Sequence, residues 1–479
     1  MNGRMILYTI GVLLKVEAAL MLLPVTVCLI YGEKPWCFLI TMAVLVLVGQ
    51  VMSFRRPVNK SIYPTEGFVI VGLSWILLSL FGALPFVLSG DIPRYVDAFF
   101  ETVSGFTTTG ASILTNVEVL GRGVLFWRSF IHWVGGMGVL VFVLAVLPRS
   151  DAQMMHVMRA EVPGPSCGKL VARVRHTALI LYGIYLVMTV VLIVLLLFGG
   201  MSLYDSMIHA FGTAGTGGFS VRNLSVGYYD SVYIDYVIAV FMLLFGINFN
   251  LYFYLLIGDL AGIRKSEELR WYLGIVAAAT AIVTIDILPQ YGSPLTSLRY
   301  AFFQVASIIT TTGYATADYG LWPNLSQAIL VLLMFIGAMA GSTGGGIKVS
   351  RVALLVKDAL RETRIMRSPR EVRVMKFEGK VVDKSIISGV HAFFTAYILL
   401  FVASVVLLSL DGHDHVSNFT AVASCFNNVG PALGVCGPVG NYSTFSDLSK
   451  LVLSFDMLAG RLEIFPLLLL FSPRTYLRK

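Results

Sequence analysis

Residues 300–313 read YAFFQVASIITTTG and residues 97–110 read DAFFETVSGFTTTG. The two stretches align without a gap, and they share Ala-Phe-Phe, a later serine and a terminal Thr-Thr-Thr-Gly. Each apolar part is too short to cross a membrane, because a spanning helix needs about 20 residues. Threonine and glycine both resist helical geometry, so the pattern predicts a short helix that ends in an extended loop.

Two further stretches keep the same frame more loosely. Residues 419–430 read FTAVASCFNNVG, and residues 207–218 read MIHAFGTAGTGG. The terminal glycines, Gly110, Gly218, Gly313 and Gly430, recur at intervals of about 100 residues, which is typical of one supersecondary unit used several times. Ordinary polar loops between helices are the alternative, and they account poorly for two matching copies and two spaced variants.

The composition around these stretches is that of a membrane protein. The chain has 479 residues, of which 57% are hydrophobic and 13% charged, and a soluble protein carries about 25% charged residues. Ten stretches are apolar and long enough to span: 6–31, 36–53, 67–89, 124–147, 177–199, 232–257, 271–288, 325–350, 385–410 and 448–471. The sequence therefore predicts an all-α membrane protein of about ten transmembrane helices, with four re-entrant pore-loop repeats in a pseudo-fourfold arrangement.

The repeats divide the chain into five parts. We expect two extra N-terminal helices in 1–60, pore repeat 1 in 61–150, pore repeat 2 in 151–265, pore repeat 3 with a broken second helix in 266–380, and pore repeat 4 in 381–479.

The net charge of +8 is informative through its placement. Most of the 35 lysines and arginines lie in alternate loops, which are the two termini and residues 54–66, 148–176, 258–270 and 351–384. By the positive-inside rule these loops and both termini are cytoplasmic. The basic residues thus report topology and contact with anionic lipid, and they give no reason to expect nucleic acid as a partner.

The chemistry of the repeats favours an alkali cation. Backbone inside a bilayer must be hydrogen-bonded unless it lines a path filled with water or ions. Four loops around one axis would replace the water shell of the ion with carbonyl oxygens. Each short helix would also point its negative C-terminal end towards the pore centre.

These residues resemble the Trk/Ktr/HKT superfamily of potassium transporters. The two extra helices, the Asn427-Asn428-Val429-Gly430-Pro431 loop and the length are similar to its bacterial TrkH branch. The resemblance implies a homodimer in the bacterial inner membrane and a cytosolic nucleotide-binding regulatory ring (TrkA-type). It also implies that potassium is the transported substrate, with no organic cofactor in this chain. The implied potassium filter comprises Thr107, Thr108, Thr109, Gly110, Gly215, Thr216, Gly217, Gly218, Thr310, Thr311, Thr312, Gly313, Asn427, Asn428, Val429 and Gly430.

The loops depart from the filter of potassium channels. None carries the second glycine of a Thr-Val-Gly-Tyr-Gly run, so fewer ordered carbonyl rings are expected. We therefore expect weaker discrimination between potassium and sodium.

The eighth predicted span contains a candidate gate. It is interrupted by Gly341, Ser342, Thr343, Gly344, Gly345 and Gly346. Consecutive glycines forfeit about 1 kcal/mol of helix stability each, so we expect a mobile loop under the filter, which the resemblance also implies. A simple kink for helix packing is the alternative. The run is not a phosphate-binding P-loop, because Ile347 separates Gly346 from Lys348.

Arg461 lies near the middle of the last predicted helix. A charge at that depth usually faces a cavity or a partner. The resemblance implies a pore-facing electrostatic barrier, and the alternative is a structural ion pair with Glu463, Asp456 or a residue on another helix. We interpret Arg128 and His132 as helix-packing residues, and Asp286 as a residue that snorkels or caps rather than relays protons.

No arrangement of side chains is typical of an enzyme. The sequence therefore predicts a channel-like protein that passes potassium down its electrochemical gradient. The alternative is a symporter coupled to protons or sodium, which usually shows inverted repeats and a site at the bilayer midplane.

Overall fold

The computed structural model describes residues 2–55, 57, 62–138, 174–368, 374–473 and 475, and these are mostly helical. Among the described residues, six helices are long and apolar enough to cross a membrane: Gly3–Ile30, Trp36–Ser53, Thr65–Ser89, Ala178–Phe198, Glu267–Tyr291 and Lys384–Asp411. They coincide with six of the ten predicted spans. The first is kinked at Met21, between the helices Gly3–Leu20 and Leu22–Ile30.

The same order of elements then occurs four times along the chain. Each unit begins with a long helix: Pro64–Gly82 with Leu84–Ser89, Val174–Phe198, Glu267–Tyr291, and Lys384–Leu408. A short helix follows: Tyr95–Phe106, Leu203–Gly215, Pro294–Ile309, and His415–Phe426. A loop that contains the repeated glycine comes next, and a second helix closes the unit.

The four second helices agree only in part with the sequence prediction. They are Arg122–Gly136, Val232–Phe245 with Phe249–Leu256, Asn324–Ile336 with Val349–Arg367, and Asp447–Arg461 with Phe465–Phe471. The sequence analysis expected a break in the third alone. The structure also bends the second by 91° and interrupts the fourth at residues 462–464. For the first helix, part of the span predicted at 124–147 lies outside the described residues.

The breaks in the third and fourth units have a local cause in the backbone. Gly246 ends the second unit's helix, and Gly337 ends the third with a φ of +71°. In the fourth unit, Glu463 and Ile464 both have positive φ. Left-handed backbone at these positions of the third and fourth units cannot continue a right-handed helix. The break in the third unit was predicted from the sequence, and the breaks in the second and fourth units were not.

Smaller elements complete the described fold. They are the helix Leu260–Lys265, the 3₁₀ turns Ser225–Tyr229, Tyr319–Leu321, Ser409–Asp411 and Gly434–Cys436, and one antiparallel hairpin of Lys376–Phe377 with Lys380–Val381.

The long helices expose apolar surface outward. In the helices Ala178–Phe198 and Lys384–Asp411, only 28% of the most apolar 18-residue stretch is buried, whereas 61% is buried in Thr65–Ser89. Leucines and valines such as Leu186, Val187 and Leu399 are exposed on that surface. Apolar surface of this extent needs lipid rather than water around it. The short helices lie inside instead, and carry buried polar residues such as Ser104, His209 and Ser307.

Candidate functional site

The four glycine loops share one backbone conformation. The second loop residue has a φ between 56° and 58° in every unit: Thr108, Thr216, Thr311 and Asn428. The terminal glycines have a φ between 73° and 98°: Gly110, Gly218, Gly313 and Gly430. Changes in the sign of φ along each loop turn successive carbonyls away from the helical direction, which an unbroken helix could not do.

One hydrogen bond ends each short helix in the same way. The backbone N–H of the third loop residue donates to the carbonyl five residues earlier. The pairs are Thr109 to Ser104, Gly217 to Gly212, Thr312 to Ser307, and Val429 to Ser424, at 2.8–2.9 Å. The four loops are therefore equivalent in structure, although only two of them have the sequence Thr-Thr-Thr-Gly.

The four glycines form a closed ring. A Cβ on Gly110 would overlap the carbonyl oxygen of Gly217, and one on Gly218 would overlap that of Thr312. A Cβ on Gly313 would overlap the carbonyl oxygen of Val429. The ring closes because a Cβ on Gly430 would lie 2.6 Å from the carbonyl oxygen of Thr109. Each loop thus abuts the next in sequence order, and any side chain at these positions would push two loops apart.

A cavity of about 140 Å³ lies at the glycine end of the loops. All four glycines line it, together with residues of the segments that follow them, and its surface is mainly polar. The charged side chains among its lining residues are Arg128 and Arg222.

Side chains tie neighbouring loops together. The Asn428 side-chain amide donates to Thr109 Oγ1 at 3.0 Å and to the Met457 carbonyl at 2.9 Å. The Tyr314 hydroxyl, after the third loop, donates to carbonyls of the second unit, including that of Phe219. The Tyr442 hydroxyl donates to the Gly430 carbonyl at 2.8 Å. The bonds of Asn428 to Thr109 and of Tyr314 to Phe219 fix loops of different units relative to one another, and the Tyr442 bond fixes the fourth loop within its own unit.

Arg128 and Glu101 form a buried ion pair beside the first two loops. Arg128 Nε lies 2.6 Å from Glu101 Oε1, and both side chains are at most 3% exposed. The guanidinium also lies over the Phe219 ring and donates to the Ser220 carbonyl. Glu101 accepts further hydrogen bonds from Ser112 and Ile113. Arg128 was interpreted as a helix-packing residue, and the structure corrects this, because the acidic partner lies on a different helix and could not be paired from spacing alone.

His132 lies at a close contact between the first two units. Its Nδ1 is 2.7 Å from the Gly105 carbonyl oxygen, and a Cβ on Gly217 would overlap its ring. The helix-packing interpretation therefore describes this residue well.

Residues 337–348 interrupt the third unit's second helix, and we call them the interrupting segment. This segment lies against the end of the loops that is opposite the terminal glycines. The Gly345 N–H donates to Thr311 Oγ1 at 2.6 Å, and the Gly346 N–H donates to the Asn427 carbonyl at 3.1 Å. A Cβ on Gly345 would overlap that same carbonyl oxygen. Glycine is needed there because the segment approaches the third and fourth loops at backbone distance.

The interrupting segment is also bonded to the second unit and to itself. The Met339 N–H donates to the Gly246 carbonyl, and the Phe249 N–H donates to the Gly341 carbonyl. Within the segment, the Lys348 ammonium donates to the Gly344 carbonyl.

Arg461 contacts the interrupting segment and the end of the helix Arg122–Gly136. Its guanidinium donates to the Thr343 carbonyl at 2.8 Å and to the Gly135 and Gly136 carbonyls at 2.5 and 2.7 Å. The carboxylates that the sequence offered as partners are engaged elsewhere, since Glu463 pairs with Arg351 at 2.6 Å and Asp456 accepts from Ser404. Arg461 therefore connects the interrupting segment to the first and fourth units below the loops.

The structure brings the sequence-predicted residues into one region. The sixteen predicted filter residues lie in the four loops whose terminal glycines form the ring. Residues 341–346 and Arg461 lie together on the side of the loops opposite the cavity. The sequence analysis missed Glu101, Tyr314 and Tyr442, whose roles depend on contacts between separate segments of the chain. Asp286 accepts two hydrogen bonds from Ser326, in accord with the interpretation as a capping residue.

Known proteins similar to this chain agree with the fold. The model of the family described as "Cation transport protein" (TrkH) matches residues 36–280 and 292–477. The Trk system potassium uptake protein TrkH of Salmonella typhimurium is 38% identical, with 99% of each chain covered. The protein TrkG of Escherichia coli K12 is 33% identical, with 98% of each chain covered. The crystal structure of the potassium transporter TrkH from Vibrio parahaemolyticus matches with a TM-score of 0.90 and 35% identity, covering 99% of this chain and 100% of that one.

Proposed function

Because this chain belongs to the TrkH family of cation transport proteins and is a multi-pass membrane protein, we propose that it is a channel-like potassium uptake protein. Its relatives are named as potassium uptake proteins, which are transporters rather than enzymes. Potassium would cross down its electrochemical gradient, with about 2.3 kcal/mol per charge for each 100 mV of membrane potential. The single observation that carries the proposal is the closed ring of Gly110, Gly218, Gly313 and Gly430 beneath a polar cavity.

The four glycine loops would be the selectivity filter. Their repeated φ pattern supports this role, because it frees carbonyls from helical bonding around one axis. The C-terminal ends of the four short helices meet the loops directly, and their partial negative charge favours a cation there. One such ring of glycines, without the second glycine of potassium channels, supports only moderate discrimination between potassium and sodium.

The interrupting segment would be the gate. Its contacts with the third and fourth loops support this role, since a segment at backbone distance from Thr311 and Asn427 leaves little room for an ion. Arg461 would add an electrostatic barrier at the same level, because its guanidinium reaches both this segment and the end of the helix Arg122–Gly136.

The wider assembly follows from the family and the charge distribution. We propose four pore repeats, in 61–150, 151–265, 266–380 and 381–479, after two extra helices in 1–60. The chain would form a homodimer in the bacterial inner membrane, with both termini cytoplasmic. A cytosolic nucleotide-binding ring of the TrkA type would regulate opening.

Planar-bilayer recording of the purified protein tests the proposal. A channel-like protein should give unitary current steps in potassium chloride under voltage clamp. Slow flux that follows an imposed proton or sodium gradient, without current steps, would identify a symporter instead. Reversal potentials under mixed potassium and sodium should show a preference for potassium that is smaller than that of a potassium channel.

A further inference from the structure

One oxygen atom of Glu268 accepts hydrogen bonds from the interrupting segment and from the helix that follows it. Its Oε1 accepts the Ala340 N–H at 2.8 Å and the Ser350 N–H at 3.1 Å. Ala340 lies in the segment, just before Gly341, and Ser350 lies two residues after its end, in the first turn of the helix Val349–Arg367. The Glu268 side chain is 6% exposed, so these bonds are shielded from water.

The position suits a carboxylate for a physical reason. The first N–H groups of a helix have no partner within that helix and carry partial positive charge. The Ser350 N–H is such a group. Hydrogen bonds to a charged acceptor are about twice as strong as neutral ones. Glu268 thus provides an acceptor for an N–H group at the start of a helix. Through Ala340 it also holds the interrupting segment in place.

A cytosolic hairpin holds Glu268 in turn. The Glu378 carboxylate, in the turn between Lys376–Phe377 and Lys380–Val381, accepts the Glu268 N–H at 2.9 Å and the Ser266 hydroxyl at 3.1 Å. Glu378 itself is exposed. A chain of hydrogen bonds therefore runs from a surface turn to the interrupting segment.

A second contact fastens the hairpin to the helix after the segment. The Lys357 ammonium donates to the Lys376 carbonyl at 3.0 Å and pairs with Glu267. The hairpin, the start of the helix Glu267–Tyr291 and the start of Val349–Arg367 are consequently held as one unit around Glu268.

We propose that Glu268 is a latch that keeps the interrupting segment closed, and that the hairpin turn at Glu378 is the point from which the latch is released. The proposal rests on the proposed function, because it assigns the control of that gate. A ligand or partner that pulls the hairpin away would withdraw Glu378 from Ser266 and Glu268. Glu268 would then lose its position, and the Ala340 and Ser350 N–H groups would be freed.

Hydrogen–deuterium exchange of the full-length protein in lipid nanodiscs tests the latch without reference to transport. Glu268→Ala should speed exchange at Ala340 and Ser350 by about tenfold or more, because two hydrogen bonds to a charged group are lost. Glu268→Gln keeps one oxygen acceptor and should give an intermediate effect. Glu378→Ala should speed exchange at the same amides, by a smaller factor. Unchanged exchange at Ala340 and Ser350 in both Glu268 variants would overturn the proposal.

A matched control separates the latch from loss of a cytosolic carboxylate. Glu362 lies on the same helix as Ser350, and its half-exposed side chain contacts Arg361. Glu362→Gln should leave exchange in residues 337–352 as in the wild type.

Single-channel recording of the same variants then connects the latch to opening. Open probability should rise from wild type to Glu268→Gln to Glu268→Ala, while unitary conductance stays constant, because the filter loops are untouched. A merely structural role would instead lower the yield of folded protein with no change in open probability, and that result would also overturn the latch. Absence of current steps in the wild type would refute the channel proposal, while the exchange data would still decide the latch.

Discussion

The side-chain amide of Asn428 donates a hydrogen bond of 3.0 Å to the hydroxyl of Thr109, which joins the fourth glycine loop to the first across 319 residues of sequence. The same amide donates to the Met457 carbonyl on the second helix of the fourth unit. Threonine at this position could not span both acceptors. The asparagines that distinguish the fourth loop thus close the ring.

Replacement of Asn428 should loosen that closure. Asn428→Ala removes two buried hydrogen bonds, and leaving their partners unsatisfied costs about 1–3 kcal/mol each. We expect a lower melting temperature. We also expect the potassium-to-sodium permeability ratio, measured from reversal potentials, to fall several-fold, which corresponds to the energy of about one hydrogen bond or more. Asn116→Ala removes an amide in the outer loops and should leave the ratio unchanged. An unaltered ratio in Asn428→Ala would contradict a role in the filter.

The glycine ring should reject even one methyl group. Gly110→Ala places a Cβ onto the Gly217 carbonyl oxygen, and it also forces alanine into a φ of +82°, at a cost of about 1–2 kcal/mol for the backbone alone. We expect potassium uptake to be lost in cells that lack their own uptake systems, while the protein remains in the membrane. Gly389→Ala is the control, because a Cβ there meets no atom within 4 Å, and its uptake should equal that of the wild type.

Neutralising Arg461 should enlarge the current through the open protein. Arg461→Gln removes a positive charge near the ion path, so the repulsion on a cation falls and unitary conductance should rise about twofold or more. Arg461→Lys retains the charge and should change conductance less. Arg94→Gln removes an exposed arginine that pairs with Asp447 and serves as the control. Lost expression with unchanged conductance in Arg461→Gln would show that the residue is only structural.

The Glu101–Arg128 pair should behave as a single unit in stability measurements. Removing one partner leaves an uncompensated buried charge, which typically costs about 3–5 kcal/mol. Thermal denaturation in detergent should therefore show a large loss for Glu101→Gln. The double variant Glu101→Gln with Arg128→Met should recover part of that loss, because no lone charge remains. Additive losses in the double variant would refute the coupling.

Much of the architecture was accessible from the chain itself. Six of the ten predicted spans match helices that are apolar and long enough to cross a membrane, since such helices are set by local composition. The resemblance to the Trk superfamily is confirmed by the family model and by relatives along the whole chain.

The second helices show where local reasoning failed. Residues 232–257 are mostly apolar, yet the helix bends by 91° after Phe245. The carbonyls of Phe245 and Gly246 accept hydrogen bonds from Thr343 and Met339 of the third unit, so their partners lie outside their own helix. A hydropathy pattern cannot reveal such an exchange of partners.

The sequence by itself determined which segments are short and that lipid surrounds the chain, because these properties depend on residues that are neighbours along the backbone. The tertiary structure alone decided the order of the loops around the ring, the partner of Arg128, and the bonds from Glu268 to Ala340 and Ser350. Those contacts join residues far apart in the chain. They form only when separate helices and segments pack together and buried polar groups must find partners across the contact.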